Sequence, residues 1–288
     1  MRPQARKRIV PATSRGLLAF RSGAIGDLRP MRVTFLGTGT SQGVPVIGCD
    51  CPVCLSPDPN DKRLRVSVLV ETRGKRILID AGPDLRQQML RAGVDALDAV
   101  LLTHEHMDHI IGMDDLRSFS FRYEPAKAVP IYADEPTLRA VRRVYDYAFR
   151  DDKYPGVPVF DLHTIGRAPF MVEGVEVIPV EVLHMRMPVL GFRIGGFTYI
   201  TDAKTIRPEE LDKVRGTDTL VLNALREKEH YSHLSLSEAL GIVEEIGPRQ
   251  AFFTHISHLM GSHAKTNEGL PENARLAHDG LVFELPDP

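Results

Sequence analysis

Short apolar runs, many bounded by Gly, Asp or Pro, dominate the hydrophobic pattern of this chain. They predict strands at Arg32–Leu36, Ser67–Glu71, Arg76–Asp80, Ala99–Leu102, Val129–Tyr132, Val175–Val180, Gly191–Ile194, Phe197–Ile200, Thr219–Leu222, Ala251–Phe253 and Leu281–Glu284. Three stretches show helical spacing instead: Asp84–Ala92, Glu135–Phe149 and Leu236–Ile246. In the second, Leu138, Val141, Tyr145 and Ala148 fall on one helical face. The third opens on Ser235-Leu-Ser-Glu238, where a hydroxyl and a carboxylate three residues apart can satisfy each other's backbone N–H. Hairpin-length links such as Thr72-Arg73-Gly74-Lys75 and Gly195-Gly196 join several neighbouring strands. The pattern therefore predicts a layered α/β fold, with mixed sheets covered by helices, rather than a strictly alternating parallel sheet. No repeat, low-complexity block or Pro/Ser linker interrupts residues 31–288, which read as one domain.

Composition narrows the function classes. With 43% apolar and 26% charged residues in 288, the chain can bury a sizeable core, which excludes a disordered or collagenous protein. No window approaches the ~18 uninterrupted apolar residues of a membrane helix. The charge is uneven: residues 1–30 carry net +6, which leaves residues 31–288 at −8 of an overall −2. The basic segment has no strand or helix period and reads as a disordered tail or an early start codon; an Arg-rich transit peptide is the alternative. A main body this acidic lacks the field that concentrates nucleic acid, so no nucleic-acid or membrane partner is expected.

Three cysteines lie within six residues, Cys49-Asp-Cys51-Pro-Val-Cys54. An odd number of thiols this close is poorly suited to a disulfide framework, whereas three thiolates on one turn suit a tetrahedral zinc that lacks only a fourth ligand. Free thiols of this kind point to a reducing, cytoplasmic setting.

The densest chemistry is Thr103-His104-Glu105-His106-Met107-Asp108-His109, directly after the apolar run Ala99–Leu102. Three imidazoles and a carboxylate in six residues at a strand end call for cations, and together with the later candidates His184, Asp202 and His255 they exceed what one tetrahedral ion would use, so two metals are expected. His184, Asp202 and His255 also follow β-rich runs, where a sheet presents its chemistry on loops.

Taken together, these motifs resemble the metallo-β-lactamase-fold hydrolases. Gly37-Thr-Gly-Thr-Ser-Gln-Gly43, the cysteine turn, Thr201-Asp202-Ala203-Lys204 and Thr254-His255-Ile-Ser-His258 are similar to the PhnP-type phosphodiesterases in particular. The resemblance runs from about Met31 to the C-terminus and implies an αββα sandwich. It implies one metal on His104, His106 and His184, a second on Asp108, His109 and His255, and Asp202 bridging both. It also implies His258 as the fourth ligand of a structural zinc on Cys49, Cys51 and Cys54. A histidine before Leu-Ser-Leu, here His233, would contact the phosphate and protonate the leaving group; His230 is the second choice.

Two dications lower the pKa of a shared water from ~15.7 toward ~7, so hydroxide becomes available at neutral pH for in-line attack on phosphorus. Zn²⁺ or Mn²⁺ suits the donors. Asp108 and His233 are the catalytic candidates, and Lys204 a candidate phosphate contact, with Arg117 and Arg226 behind it. The expected substrate is a small phosphodiester, cyclic or nucleotide-like, and a homodimer is compatible with the sequence. The alternatives are an RNA-processing nuclease of the tRNase Z type, a thioesterase or lactonase on the same metals, and a non-catalytic metal-binding protein.

Overall fold

The computed structural model describes residues 30–288, so the expected basic tail at 1–30 lies almost wholly outside the described residues. Among the described residues, fifteen strands form two sheets. The first sheet contains β1 (Met31–Gly37), β2 (Ser67–Thr72), β3 (Lys75–Ile79), β4 (Ala99–Leu101), β5 (Val129–Ala133) and β6 (Phe160–Thr164). The second contains β7 (Phe170–Val172), β8 (Val175–His184), β9 (Met187–Ile194), β10 (Phe197–Ile200), β11 (Thr205–Ile206), β12 (Thr219–Asn223), β13 (Gln250–Thr254) and β14 (Ala274–Leu276). The last strand, β15 (Val282–Leu285), returns to the first sheet beside β1.

Both sheets are mixed, as the hairpin links required. In the first, the order is β15-β1-β2-β3-β4-β5-β6, antiparallel as far as β3 and parallel from β3 to β6. In the second, β11-β8-β9-β10 is antiparallel and β10-β12-β13-β14 parallel, with β7 on the side of β8. Period-2 alternation explains how one strand serves two cores. Ile77 and Ile79 of β3 face the inter-sheet core with Phe35, Phe192 and Phe252, while Leu78 faces the outer layer with Leu85 and Leu138. On β13, Phe252 points between the sheets and Phe253 outward, against Ala239 and Val243 of the helix Leu236–Ile246. Strands covered on both faces read as unbroken apolar runs, which is what made them legible. The result is the αββα sandwich.

Ser235 caps Leu236–Ile246 as expected, its Oγ accepting from Glu238 N while the Glu238 carboxylate accepts from Ser235 N. One helix differs. Glu135–Phe149 breaks into Glu135–Val144 and Asp146–Phe149, with non-helical Tyr145 between them. The buried Tyr145 hydroxyl donates to Ile110 O at 2.8 Å, so this residue is committed to the neighbouring loop. The strands β6, β7, β11 and β14 and the helices Pro208–Val214 and His263–Glu268 carry too little apolar periodicity to have been read from the sequence.

The parallel strands β3, β4, β10, β12 and β13 place their carboxyl ends at one edge of the sandwich. Loops leaving such ends are where open α/β sheets present ligands.

Candidate metal centre

Five strand ends converge at that edge. Asp80 follows β3, His104 follows β4 by three residues, His184 closes β8, Asp202 lies two residues beyond β10 and His255 directly follows β13. Asp80, Asp202 and His255 have φ of 63°, 56° and 55°, a left-handed conformation that costs energy in residues other than glycine. Buried Asn223 holds the turn after Asp202, accepting from Ala203 N at 2.8 Å and donating to Ala203 O at 3.0 Å.

The His104–His109 segment turns into a short helix, Met107–Ile110, in which His109 N donates to His106 O at 3.0 Å. Its donors then crowd together. His104 Nε2 lies 3.0 Å from His106 Nδ1, His109 Nε2 lies 3.3 Å from Asp108 Oδ2 and 3.4 Å from Asp202 Oδ2, and His255 Nε2 lies 3.3 Å from Asp202 Oδ1. Three ligand sets result, within each of which the donor atoms lie less than 4.8 Å apart: His104 with His109 and Asp202, Asp108 with His109 and His255, and His184 with Asp202 and His233. Asp202 belongs to two of them. Six of the seven expected active-site donors fall in these sets, though His104 groups with His109 rather than with His184, and His106 belongs to none of them but lies beside His104 at the cleft. His106 faces His184 with ring centroids 5.2 Å apart.

The chemistry of the donors fits divalent ions. His109 Nε2 and both ring nitrogens of His255 are buried without a hydrogen bond, a costly state unless something else takes their lone pairs. Burial, then His109, holds His104 well below its ordinary range, and burial followed by His184 lowers His106, which keeps both as neutral ligands. At His109 burial acts in the same direction, but Asp80, Asp202 and Asp108 outweigh it and raise the imidazole well above the usual range. Three carboxylates thus demand positive charge at this point. Burial opposes ionisation of Asp108 and Asp202, yet the neighbouring histidines hold both carboxyls below the ordinary range.

Further side chains orient the donors. Asp80 Oδ2 accepts from His109 Nδ1 at 2.7 Å, and Ser232 O accepts from His184 Nδ1 at 2.9 Å. Both bonds leave Nε2 free to face the site, as in metal centres generally. Asp80 was not singled out in the sequence; its position directly after an apolar run, as for Asp202 and His255, was the available signal. His233 Nε2 lies 3.0 Å from Asp202 Oδ1, and its ring is stacked on His255 at 4.8 Å. Burial pulls His233 down to about 4 against the opposing pull of Asp202.

A second cluster sits beside the first. Cys49, Cys51 and Cys54 place their Sγ atoms 3.3, 3.3 and 3.5 Å from His258 Nδ1, although His258 is some two hundred residues away in sequence. Three sulfurs and one imidazole nitrogen converging in this way fit tetrahedral zinc. Cys54 N donates to Cys51 Sγ, which together with His258 lowers that thiol to about 6 despite some burial, whereas burial raises Cys54 to about 11. The Gly37–Gly43 loop ties the two clusters together: Ile256 N donates to Thr38 O at 2.9 Å and Thr40 N to Ile256 O at 3.3 Å.

The donors open into a cleft of about 360 Å³ lined also by Thr40, Ser41, Gln42, Arg226, His230 and Tyr231. Two expected anion contacts are otherwise engaged. Lys204 Nζ donates to Glu238 Oε1 at 2.6 Å and does not line the cleft, because the capping carboxylate of the helix Leu236–Ile246 claims it. Arg117 is paired with Asp114 and donates to Gly156 O. His263 is turned away to Arg63 and His278.

Residues 75–256 match the Beta-lactamase superfamily domain. The chain belongs to the metallo-β-lactamase superfamily. Within that superfamily, it is 42% identical to a crystal structure described as a new diphosphatase from the PhnP family, with TM-score 0.83, covering 88% of this chain and 98% of that one. An octanoyltransferase of Porphyromonas gingivalis is 44% identical over 254 residues, 87% of this chain but 51% of the relative. A ribonuclease Z of Bradyrhizobium diazoefficiens is 31% identical over 182 residues, 62% of this chain and 47% of the relative. The chain thus spans about half the length of these two curated relatives. The superfamily fold implies divalent metal binding and hydrolase chemistry. Among the described residues no helix is long and apolar enough to cross a membrane.

Proposed function

We infer that this chain hydrolyses small phosphodiesters at a dinuclear metal centre. His104, His106 and His184 would hold one ion, Asp108, His109 and His255 the other, and Asp202 both. The observation that carries this reading is the reach of Asp202: it lies 3.4 Å from His109 Nε2 and 3.3 Å from His255 Nε2, and it also falls in one ligand set with His104 and in another with His184, so a single carboxylate meets donors of both ions. When bound, such ions supply Lewis acidity for the phosphoryl oxygens and a water acidic enough to be a nucleophile at neutral pH. A third ion, zinc, would sit on Cys49, Cys51, Cys54 and His258 and clamp the Gly37–Gly43 loop beside the cleft.

The chain's own residues would do the rest. Asp80 and Ser232 O fix which nitrogen of His109 and His184 faces the ions. His233, with Nε2 at the cleft, would hold a proton for the departing alkoxide; the negative charge of a bound diester offsets the burial that otherwise keeps this imidazole neutral.

The decisive experiment is turnover of bis(p-nitrophenyl) phosphate by metal-loaded protein, with Asp108→Ala and Asp202→Ala as variants. Both variants should lose hydrolysis, by more than about 100-fold, with circular dichroism unchanged. Wild-type turnover in both would reject the dinuclear site. The related PhnP-family diphosphatase favours a second reading, in which the scissile bond is a phosphoanhydride; assaying a nucleoside diphosphate in parallel separates the two. The octanoyltransferase relative motivates a thioester arm in the same panel.

A further inference from the structure

The hydrolysis proposed above leaves unused a large aromatic side chain at the mouth of the cleft. Tyr231 lines the cleft with His230, His233 and Leu259, yet 72% of it is exposed. Its ring stands 4.3 Å from the His230 imidazole, tilted by 31°. His230 is held in turn by Ser232, whose N and Oγ lie 3.3 and 3.1 Å from its Nδ1. Arg226 braces the same loop, donating from Nε to Lys228 O at 3.2 Å and from Nη2 to Glu229 O at 2.7 Å. Leu259, 55% exposed, adds a second apolar side chain to the lining, and Thr40, Ser41 and Gln42 contribute its hydroxyl and amide groups.

We propose that Tyr231 and Leu259 form a subsite for a nucleobase carried on one arm of the substrate. The inference rests on the hydrolase reading and names the substrate class. A braced aromatic face left in water gains from being covered by a flat heterocycle, because any base offers a π-face to stack on. The polar part of the lining decides between a base and an alkyl or acyl arm. Hydroxyls and an amide match the nitrogen and oxygen edge of a base, whereas a saturated chain would leave them unpaired. The cleft volume is of the order that small-molecule sites occupy, ~300–1,000 Å³.

The test compares two five-membered cyclic diesters with the same reacting ring: adenosine 2′,3′-cyclic phosphate and the methyl riboside 2′,3′-cyclic phosphate, which lacks the base. Hydrolysis by the metal-loaded full chain is followed by phosphorus NMR. The wild-type protein should favour the nucleotide in kcat/KM, and Tyr231→Ala should lower that preference by about 5- to 100-fold. Tyr231→Phe should keep the preference, and Tyr231→Leu, which retains bulk without a ring face, should lose it. A preference unmoved in Tyr231→Ala, or retained in Tyr231→Leu, would overturn the subsite. Equilibrium binding of adenosine monophosphate to wild type and Tyr231→Ala separates the two ideas. Weaker binding in the variant with neither diester cleaved would sink the hydrolase reading and keep the subsite; equal binding would remove the subsite alone.

Discussion

His109 Nδ1 lies 2.7 Å from Asp80 Oδ2, and both side chains are completely shielded from solvent. Asp80 also accepts from Thr103 N and Oγ1 at 2.9 and 3.0 Å, so a single carboxylate at the end of β3 fixes the entry to the histidine segment after β4. Converting Asp80 to Asn keeps the shape and removes the charge that fixes the imidazole tautomer. Metal affinity of Asp80→Asn, read by competition with a chromophoric chelator, should fall by about 10- to 100-fold. Wild-type affinity would mean that His109 is oriented by packing alone.

The same segment rests on glycines that nothing can replace. A Cβ at Gly112 would lie 1.8 Å from Gly82 O, and one at Gly82 would lie 2.1 Å from Asp108 O. Gly112→Ala should therefore push the His104–Gly112 turn off β3 and lower both Tm and metal affinity. Gly241 is the control: it sits inside the helix Leu236–Ile246 with nothing within 4 Å of a Cβ, so Gly241→Ala should stabilise by about 0.5–1 kcal/mol. Equal effects of the two substitutions would refute the close-approach argument.

Much of this was legible before the fold was known. Strands buried on both faces announce themselves as apolar runs, and ligands follow them directly, so His104, Asp202 and His255 were found by position as well as type. The His258 partner of the cysteine turn came from family likeness, because a contact spanning some two hundred residues leaves no local trace. Lys204 misled because sequence shows a free lysine beside a ligand but not the Glu238 carboxylate that the next helix brings to it. Asp80 escaped notice and Tyr145 reads only as part of an apolar helical face, because their roles are contacts with another segment, visible only after β3, β4 and the outer helices are packed.

The cysteine cluster makes a prediction about metal count. If Cys49, Cys51, Cys54 and His258 hold zinc, Cys51→Ser should lower the bound metal by about one ion per chain and depress Tm, since structural zinc contributes directly to folding. Residual hydrolysis per folded molecule should fall less than stability, because Cys51 does not line the cleft and the Cys site reaches it through His258 and the Thr38–Thr40 and Ile256 pairing. Unchanged zinc content and Tm would remove the structural site.

His263 supplies a pH signature away from the metals. Arg63 Nη2 donates to His263 Nδ1 at 3.1 Å, and the groups facing this imidazole are Arg63, His278, Asp58 and Asp61. Burial first, and then the Arg63 charge, pull it down to about 4 from its ordinary 6.5. Between those values the unfolded chain takes up a proton that the folded chain refuses. The stability from the neutral imidazole is therefore fully present above about pH 6.5 and is lost as pH falls towards about 4. His263→Gln keeps an acceptor for Arg63 and does not titrate. Urea unfolding at about pH 7 and about pH 5 should show a smaller loss of stability on acidification in the variant than in the wild type. Equal losses would show that other groups carry the whole acid response.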